Sequence, residues 1–283
     1  MSRVSVTESA WDGAPSQTRL GYRLWHPEHP RALLILIHGF GEHGGRYHLV
    51  AQILAERGIC VIAPDLPGHG RSAGARGDFG RVADCVRDLK ALVERVAVPA
   101  AGQSRSVLFG HSFGGLVAAW WALEHHAQVL RLILQSPLFE VGFPVPRWKT
   151  VAAALLAATW PSAGLSLGLD AAALSHDPAI VKAYLSDPLV HHRMSARTYH
   201  AFVQTRNAVM ARAGELHVPV LLLYGTEDRI ISIEAAQRWF EHVTCEKRQV
   251  VFPNSYHELH HEAVRDELLR AVEAWILNQA GDA

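Results

Sequence analysis

Apolar residues along the chain fall into two patterns, one typical of buried strands and one typical of amphipathic helices. A continuous apolar run at 32–37 and mostly apolar segments at 129–134 and 218–224 predict buried strands, as in a parallel sheet. Between 82 and 96, apolar residues recur with the period of a helix, at Val82, Val86, Leu89, Val93 and Val96. Because the two patterns alternate along the chain, they predict a mostly parallel central sheet flanked by helices.

Weaker patterns complete this predicted core. Alternating segments at 4–7 and 18–25, separated by Asp12-Gly13-Ala14-Pro15, predict an antiparallel hairpin at a sheet edge. Further strands are predicted at 60–63 and 248–252. Further helices are predicted at 47–57, 232–240 and 262–277.

The alternation of strands and helices stops between 137 and 217. Helix-like pieces at 147–159, 178–185 and 195–214 are joined there by Pro- and Gly-rich turns. We therefore predict a first part of the core at 1–136, an inserted helical cap at 137–217 and a second part of the core at 218–283.

One stretch of the predicted cap, 150–169, contains no charged residue. Pro161, Gly164 and Gly168 interrupt it, so it reads as a lid that contacts membrane or lipid rather than as a membrane-spanning helix.

Composition limits the kinds of binding partner and the cellular location that are expected for the protein. The 27 basic and 27 acidic residues give a formal net charge of zero, so no nucleic-acid partner is expected. The three cysteines, Cys60, Cys85 and Cys245, are widely spaced and read as reduced thiols. With no apolar run of signal-peptide length before Pro15, we expect a cytoplasmic protein that also makes peripheral membrane contact.

A strand-turn-helix pattern carries the first candidate for chemistry. The apolar run 107–109 leads into Gly110-His111-Ser112-Phe113-Gly114, and an Ala-rich helical pattern follows. In this context Gly-x-Ser-x-Gly indicates a nucleophile elbow, whose glycines keep a sharp turn free of clashes. Ser112 is therefore the candidate nucleophile. A second match, Gly164-Leu165-Ser166-Leu167-Gly168, follows a Pro-containing turn rather than a strand, so Ser166 is not expected to be one.

Two later residues can activate Ser112. Asp228 follows the strand pattern that ends at 224, and His257 follows the one that ends at 252. Serine, acid and histidine come in the order of the α/β-hydrolase fold, and all three follow strands, at the edge where open sheets bind ligands. We predict a catalytic triad in an α/β-hydrolase fold. His260 and His261 are the alternative bases, and Glu227 reads as a solvated acid.

Two further patterns surround this triad. The N–H of Phe113, directly after the nucleophile, and that of Phe40, in the loop after the strand 32–37, are the predicted oxyanion donors. His257-Glu258-Leu259-His260-His261 also matches the zinc-hydrolase pattern His-Glu-x-x-His. A zinc site would need His257 and His261 in one helix, which Pro253-Asn254-Ser255 disfavours, and it leaves Ser112 unexplained.

The chain resembles the monoacylglycerol lipase family of serine hydrolases, which includes bacterial monoacylglycerol lipases and related lysophospholipases. The matching pieces span most of the chain: His38-Gly39-x-Gly41-Glu42-His43, Gly45-Arg46-Tyr47, Gly68-His69-Gly70-x-Ser72, Gly110-His111-Ser112-x-Gly114-Gly115, Ser186-Asp187-Pro188-Leu189, Asp228-Arg229 and Tyr256-His257-x-Leu259-His260. The resemblance implies that Glu42, Arg46 and Tyr184 hold the glycerol end of a monoacylglycerol. It implies hydrolysis to glycerol and fatty acid through an acyl-enzyme, with no metal or cofactor.

Three alternatives remain open from the sequence. Lysophospholipase or general carboxylesterase activity would use the same residues on another ester. Zinc hydrolysis and a non-catalytic, lipid-binding α/β-hydrolase are more remote, and the second would usually lack one of the triad residues that this chain has.

Overall fold

An eight-stranded sheet forms the centre of the computed structural model, which describes residues 3–144, 147–166 and 168–278. Leu167 of the second serine motif lies outside them. The strands are β1 Val4–Trp11, β2 Leu20–Pro27, β3 Ala32–Ile37, β4 Ile59–Pro64, β5 Ser106–His111, β6 Val129–Gln135, β9 Val220–Gly225 and β10 Lys247–Phe252, while the short strands β7 Gly164–Ser166 and β8 Arg193–Ser195 lie outside this sheet. Their order is β1-β2-β4-β3-β5-β6-β9-β10. All neighbours from β4 to β10 pair in parallel, while β2 pairs antiparallel with β1 and β4.

Helices cover both faces of this sheet. The α-helices of the described residues are α1 His48–Glu56, α2 Val82–Leu92, α3 Val98–Ala101, α4 Phe113–Glu124, α5 Arg147–Thr159, α6 Pro178–Ser186, α7 Ala196–Ala211, α8 Ile233–His242 and α9 Arg265–Ile276, of which α5 and α6 lie outside the two clusters that cover the sheet. Leu33, Ile35 and Ile37 of β3 pack in the cluster that includes α2, α4 and α8. Leu34 and Leu36 pack in the cluster of α1 and α9. Alternate residues of one strand thus serve two cores, which explains its unbroken apolar sequence.

The predicted helix 82–96 continues further than its apolar pattern. After α2, the wider π turn Val93–Ala97 leads into α3. Pro99 lies in the first turn of α3, and its ring cannot donate to the carbonyl four residues earlier. The wider turn accommodates this missing bond without ending the helix.

The segment between β6 and β9 lies partly on the core and partly in solvent. It contains α5, α6, α7 and an antiparallel ribbon of two three-residue strands, β7 Gly164–Ser166 and β8 Arg193–Ser195. Phe202 and Val209 of α7 are buried in the same cluster as α4. The division of the chain at 136 and 218 stays a prediction. In the described part of the chain, no helix has the length and apolar character needed to cross a membrane.

Candidate active site

The turn at Ser112 has the backbone geometry that its sequence predicts. Ser112 has φ +53° and ψ −120° between the end of β5 and the start of α4. A Cβ on Gly110 would lie 2.3 Å from the carbonyl oxygen of Gly114, and one on Gly114 would lie 2.2 Å from that of Ile37. Both distances are shorter than atoms allow, so the two glycines are required by the tight packing of β3, β5 and α4. By contrast, Ser166 is exposed at the end of β7, and the described residues 168–170 are not helical.

Asp228 and His257 form a buried hydrogen-bonded pair past the ends of β9 and β10. Nδ1 of His257 lies 2.7 Å from Oδ2 of Asp228, and the Oδ1 of Asp228 accepts from the backbone N–H groups of Ile230 and Ile231. Burial opposes both charges, but each partner favours the charged form of the other, so the pKa of His257 is raised and that of Asp228 is lowered. An ionised Asp228 requires a proton on Nδ1 of His257, which leaves Nε2 as the basic nitrogen.

The neighbouring histidines are held by other partners. One amide nitrogen of Gln135 lies 2.9 Å from Nδ1 of His111 and 2.8 Å from Nδ1 of His260. The ring of His111 packs 4.6 Å from that of His257, centroid to centroid. Burial first, and then the charge on His257, lowers the pKa of His111 to about 3, so His111 is neutral. In this arrangement His257 is the histidine that a carboxylate orients, while His260 stacks on Tyr47.

The two predicted oxyanion residues contact each other. The rings of Phe40 and Phe113 meet edge to face with centroids 5.4 Å apart. Phe113 is the first residue of α4, and Phe40 lies in the loop after β3, which His38 supports by accepting the N–H of Leu66 through Nε2. In that loop a Cβ on Gly39 would lie 3.4 Å from the Cβ of Ser112. The backbone donors of this loop therefore lie beside the candidate nucleophile.

The three residues that the family resemblance assigns to the glycerol end come together in space. Glu42 accepts hydrogen bonds from the N–H of Gly39, the hydroxyl of Tyr47 and Nη1 of Arg46, at 2.7, 2.7 and 2.6 Å. The guanidinium carbon of Arg46 lies 4.8 Å from the ring centroid of Tyr184 on α6. Burial opposes the charge on Glu42 most strongly, but Arg46 and the other polar groups around the carboxylate, including the Tyr47 hydroxyl, together hold the pKa of Glu42 well below its usual value.

One member of this cluster, Glu258, was not predicted. Both of its carboxylate oxygens accept hydrogen bonds from Arg46, at 2.5 and 2.7 Å. Its position directly after His257 places it near the site, but no signal in the sequence predicts its pairing with Arg46. In the sequence, Glu258 stands out only as part of the zinc pattern.

The zinc alternative lacks its helix. His257 precedes the short 3-10 turn Leu259–His261 and is paired with Asp228. Within the described ranges, ligand atoms of Glu258, His260 and His261 lie within 4.8 Å of one another. The carboxylate of Glu258 is, however, bound to the Arg46 cation, which would repel a metal ion at this place.

A mostly parallel sheet of this order, with a serine at the turn between β5 and α4, defines the α/β-hydrolase class. The family described as "Serine aminopeptidase, S33" matches residues 28–264. The chain is 33% identical over 263 residues to a monoacylglycerol lipase of Mycolicibacterium smegmatis, covering 92% of this chain and 93% of that one. It is 34% identical over 268 residues to the rat monoglyceride lipase, covering 90% and 85%.

A solved structure extends these similarities. The monoacylglycerol lipase of Paleococcus ferrophilus superposes with a TM-score of 0.83 at 29% identity, covering 98% of this chain and 100% of that one. The chain belongs to the monoacylglycerol lipase family of serine α/β-hydrolases. The predicted family, fold and hydrolase class are thereby confirmed.

Proposed function

We propose that the protein cleaves the carboxylic ester of monoacylglycerols to glycerol and free fatty acid. The observation that carries the proposal is the hydrogen-bonded pair of His257 and Asp228, past the ends of β10 and β9 in the same mostly parallel sheet whose strand β5 leads into the turn of Ser112. The names of the relatives support a monoacylglycerol as the substrate. The cluster of Glu42, Arg46 and Tyr184 supplies a polar place for the glycerol end.

In the proposed mechanism, Ser112 attacks the ester carbonyl while Nε2 of His257 accepts its proton. Asp228 orients the ring and stabilises the imidazolium that forms. The N–H groups of Phe40 and Phe113 stabilise the oxyanion, each contributing about 3 kcal/mol to the transition state. His257 then returns the proton to the leaving glycerol oxygen. Water repeats the cycle on the acyl-enzyme and releases the fatty acid.

We further propose that the cap contacts the lipid surface from which the substrate comes. Val151 and Leu155, one turn apart on α5, are 60% and 62% exposed, and Trp160 just beyond the helix is 65% exposed. Leaving such side chains in water is unfavourable, and burying one in an interface contributes about 1.5–3 kcal/mol. The three free thiols agree with the predicted cytoplasmic location.

A comparison of substrates with the purified protein tests the function. We expect release of equal amounts of glycerol and fatty acid from 1-monooleoylglycerol, with a higher kcat/KM than for lysophosphatidylcholine or 4-nitrophenyl butyrate. A preference for lysophosphatidylcholine would instead identify a lysophospholipase. A preference for the short ester would identify a general carboxylesterase.

A further inference from the structure

Glu258 is a charged residue of the site at a position that the family motif leaves unspecified. It follows the catalytic candidate His257, and its side chain is 2% exposed. Its two oxygens accept from Nη1 and Nη2 of Arg46, so the pair has the two-pronged geometry in which arginine normally binds a carboxylate or a phosphate.

Arg46 has two more partners in addition to Glu258. Glu42 accepts a hydrogen bond from Nη1, so three hydrogen bonds join this guanidinium to two carboxylates. The ring of Tyr184 lies 4.8 Å from the guanidinium carbon. Burial opposes its charge, yet Glu258 and Glu42 raise the pKa of Arg46 above its usual value, so Arg46 stays charged. A phosphate could reach the Nη1–Nη2 edge only by displacing Glu258 and leaving a buried carboxylate unpaired, which is strongly unfavourable.

The charges of this cluster do not balance. Two carboxylates and one guanidinium leave one excess negative charge, and all three side chains are less than 10% exposed, at 4%, 2% and 8%. Solvent therefore screens this excess charge poorly. The N–H of Gly39 donates to Glu42, and Gly39 is also the residue whose Cβ would contact Ser112. The Glu42 end of this cluster thus lies close to the candidate nucleophile.

We propose that Glu258 makes this site selective for an uncharged glycerol head and against a head that carries phosphate. Glycerol hydroxyls can donate hydrogen bonds to carboxylates, whereas a phosphate offers acceptors and negative charge to groups that are already negative. The inference deepens the proposed function and rests on it, since it assumes that the head of the substrate binds at Glu42 and Arg46. This selectivity distinguishes monoacylglycerols from lysophospholipids as substrates, a choice that the sequence left open.

Two exposed cations lie on segments that carry residues of the site, one on α6 with Tyr184 and one directly after Asp228. Lys182 on α6 and Arg229 beside Tyr256 are exposed. Attraction between a phosphate and an exposed cation is weak in water and falls further with salt. The buried excess charge is therefore expected to dominate over these two residues.

The test compares two lipids that differ only in the phosphate: 1-monooleoylglycerol and 1-oleoylglycerol 3-phosphate, in the same mixed micelles. For the wild-type protein we expect kcat/KM to favour the neutral lipid by at least about tenfold, mainly through KM. Glu258→Gln keeps the shape and removes the charge, and it should lower this ratio by about tenfold. Using the ratio cancels any loss of activity common to both lipids.

Glu273→Gln is the matched control. Glu273 pairs with Arg57 at 2.5 Å, so this variant removes one negative charge from another ion pair, and its ratio should equal that of the wild type. Equal turnover of the two lipids by the wild type would overturn the inference, as would a Glu258→Gln ratio equal to that of Glu273→Gln. If Glu258→Gln does not fold, the kcat/KM ratio of the wild type for the two lipids remains as the test, and equal values would overturn the inference. A protein that cleaves 4-nitrophenyl butyrate and neither lipid would instead contradict the proposed function, and the inference with it.

Discussion

Among single residues, His257 can accept the proton of Ser112 only when its Nε2 does not already carry a proton. Because Asp228 raises the pKa of His257 above its ordinary value of 6.5, His257 becomes protonated at higher pH than a free histidine. kcat/KM should therefore fall as the pH drops below the pKa of His257, which lies above 6.5. We expect kcat/KM of the wild-type protein to fall tenfold per pH unit below that pKa.

Asp228→Asn tests the origin of this pKa. Without the carboxylate, the imidazolium loses its stabilising partner, so the pKa of His257 falls and the acid limb of the kcat/KM profile moves to lower pH. The rate itself should fall by about 10⁴-fold, because the wrong tautomer is then favoured. Glu227→Gln, a change at the adjacent acid, should leave both the rate and the profile unchanged. If the acid limb of the kcat/KM profile lies at the same pH in Asp228→Asn as in the wild type, this would contradict the pairing of Asp228 with His257.

The triad could be predicted from the sequence, but Glu258, whose partner lies far away in the chain, could not. Ser112, Asp228 and His257 each follow a strand pattern, so their meeting at one sheet edge could be predicted from strand positions. Glu258 joins Arg46 from 212 positions away. Nothing in the local pattern says which way Glu258 points, because no regular element continues through it and side-chain direction there depends on the surrounding fold.

At the scale of elements, the turn between β5 and α4 depends on close backbone packing. Gly114→Ala would place a Cβ 2.2 and 2.5 Å from the carbonyl oxygens of Ile37 and His38. Backbone atoms inside a sheet cannot move away cheaply, so we expect a loss of at least about 3 kcal/mol in the free energy of unfolding, measured with denaturant. Gly102→Ala is the control. It has a positive φ but no atom within 4 Å, and it should cost only about 1 kcal/mol. Equal losses would contradict the clash.

Two of the predicted elements match the structure to the residue. The run 32–37 matches β3, and 147–159 matches α5. The ribbon of β7 and β8 was missed because three residues are too few to show a period, and its pairing joins positions far apart in sequence. The π turn after α2 was not predicted, because the spacing of apolar residues does not reveal the effect of one proline, Pro99, on the helix.

At the scale of the whole molecule, the exposed face formed by Val151, Leu155 and Trp160 is the candidate contact with lipid. Leu155→Ser combined with Trp160→Ser should reduce binding to phosphatidylcholine vesicles by at least about tenfold in a sedimentation assay. Activity on 4-nitrophenyl butyrate, which needs no lipid surface, should be unchanged. Leu130→Ser, at an exposed leucine near the start of β6, should bind vesicles as the wild type does. Equal binding by all three proteins would show that this face does not contact lipid.

Ser112 is the proposed nucleophile of the molecule, and covalent labelling identifies the reactive serine. A fluorophosphonate phosphonylates an activated serine, and peptide mass spectrometry locates the adduct. We expect one adduct on the peptide that contains Ser112, with loss of monoacylglycerol hydrolysis in proportion to labelling. Ser166→Ala should label normally, while Ser112→Ala should stay folded, unlabelled and slower by at least about 10⁴-fold. An adduct on Ser166, or a Ser112→Ala variant that is still labelled and active, would contradict the assignment.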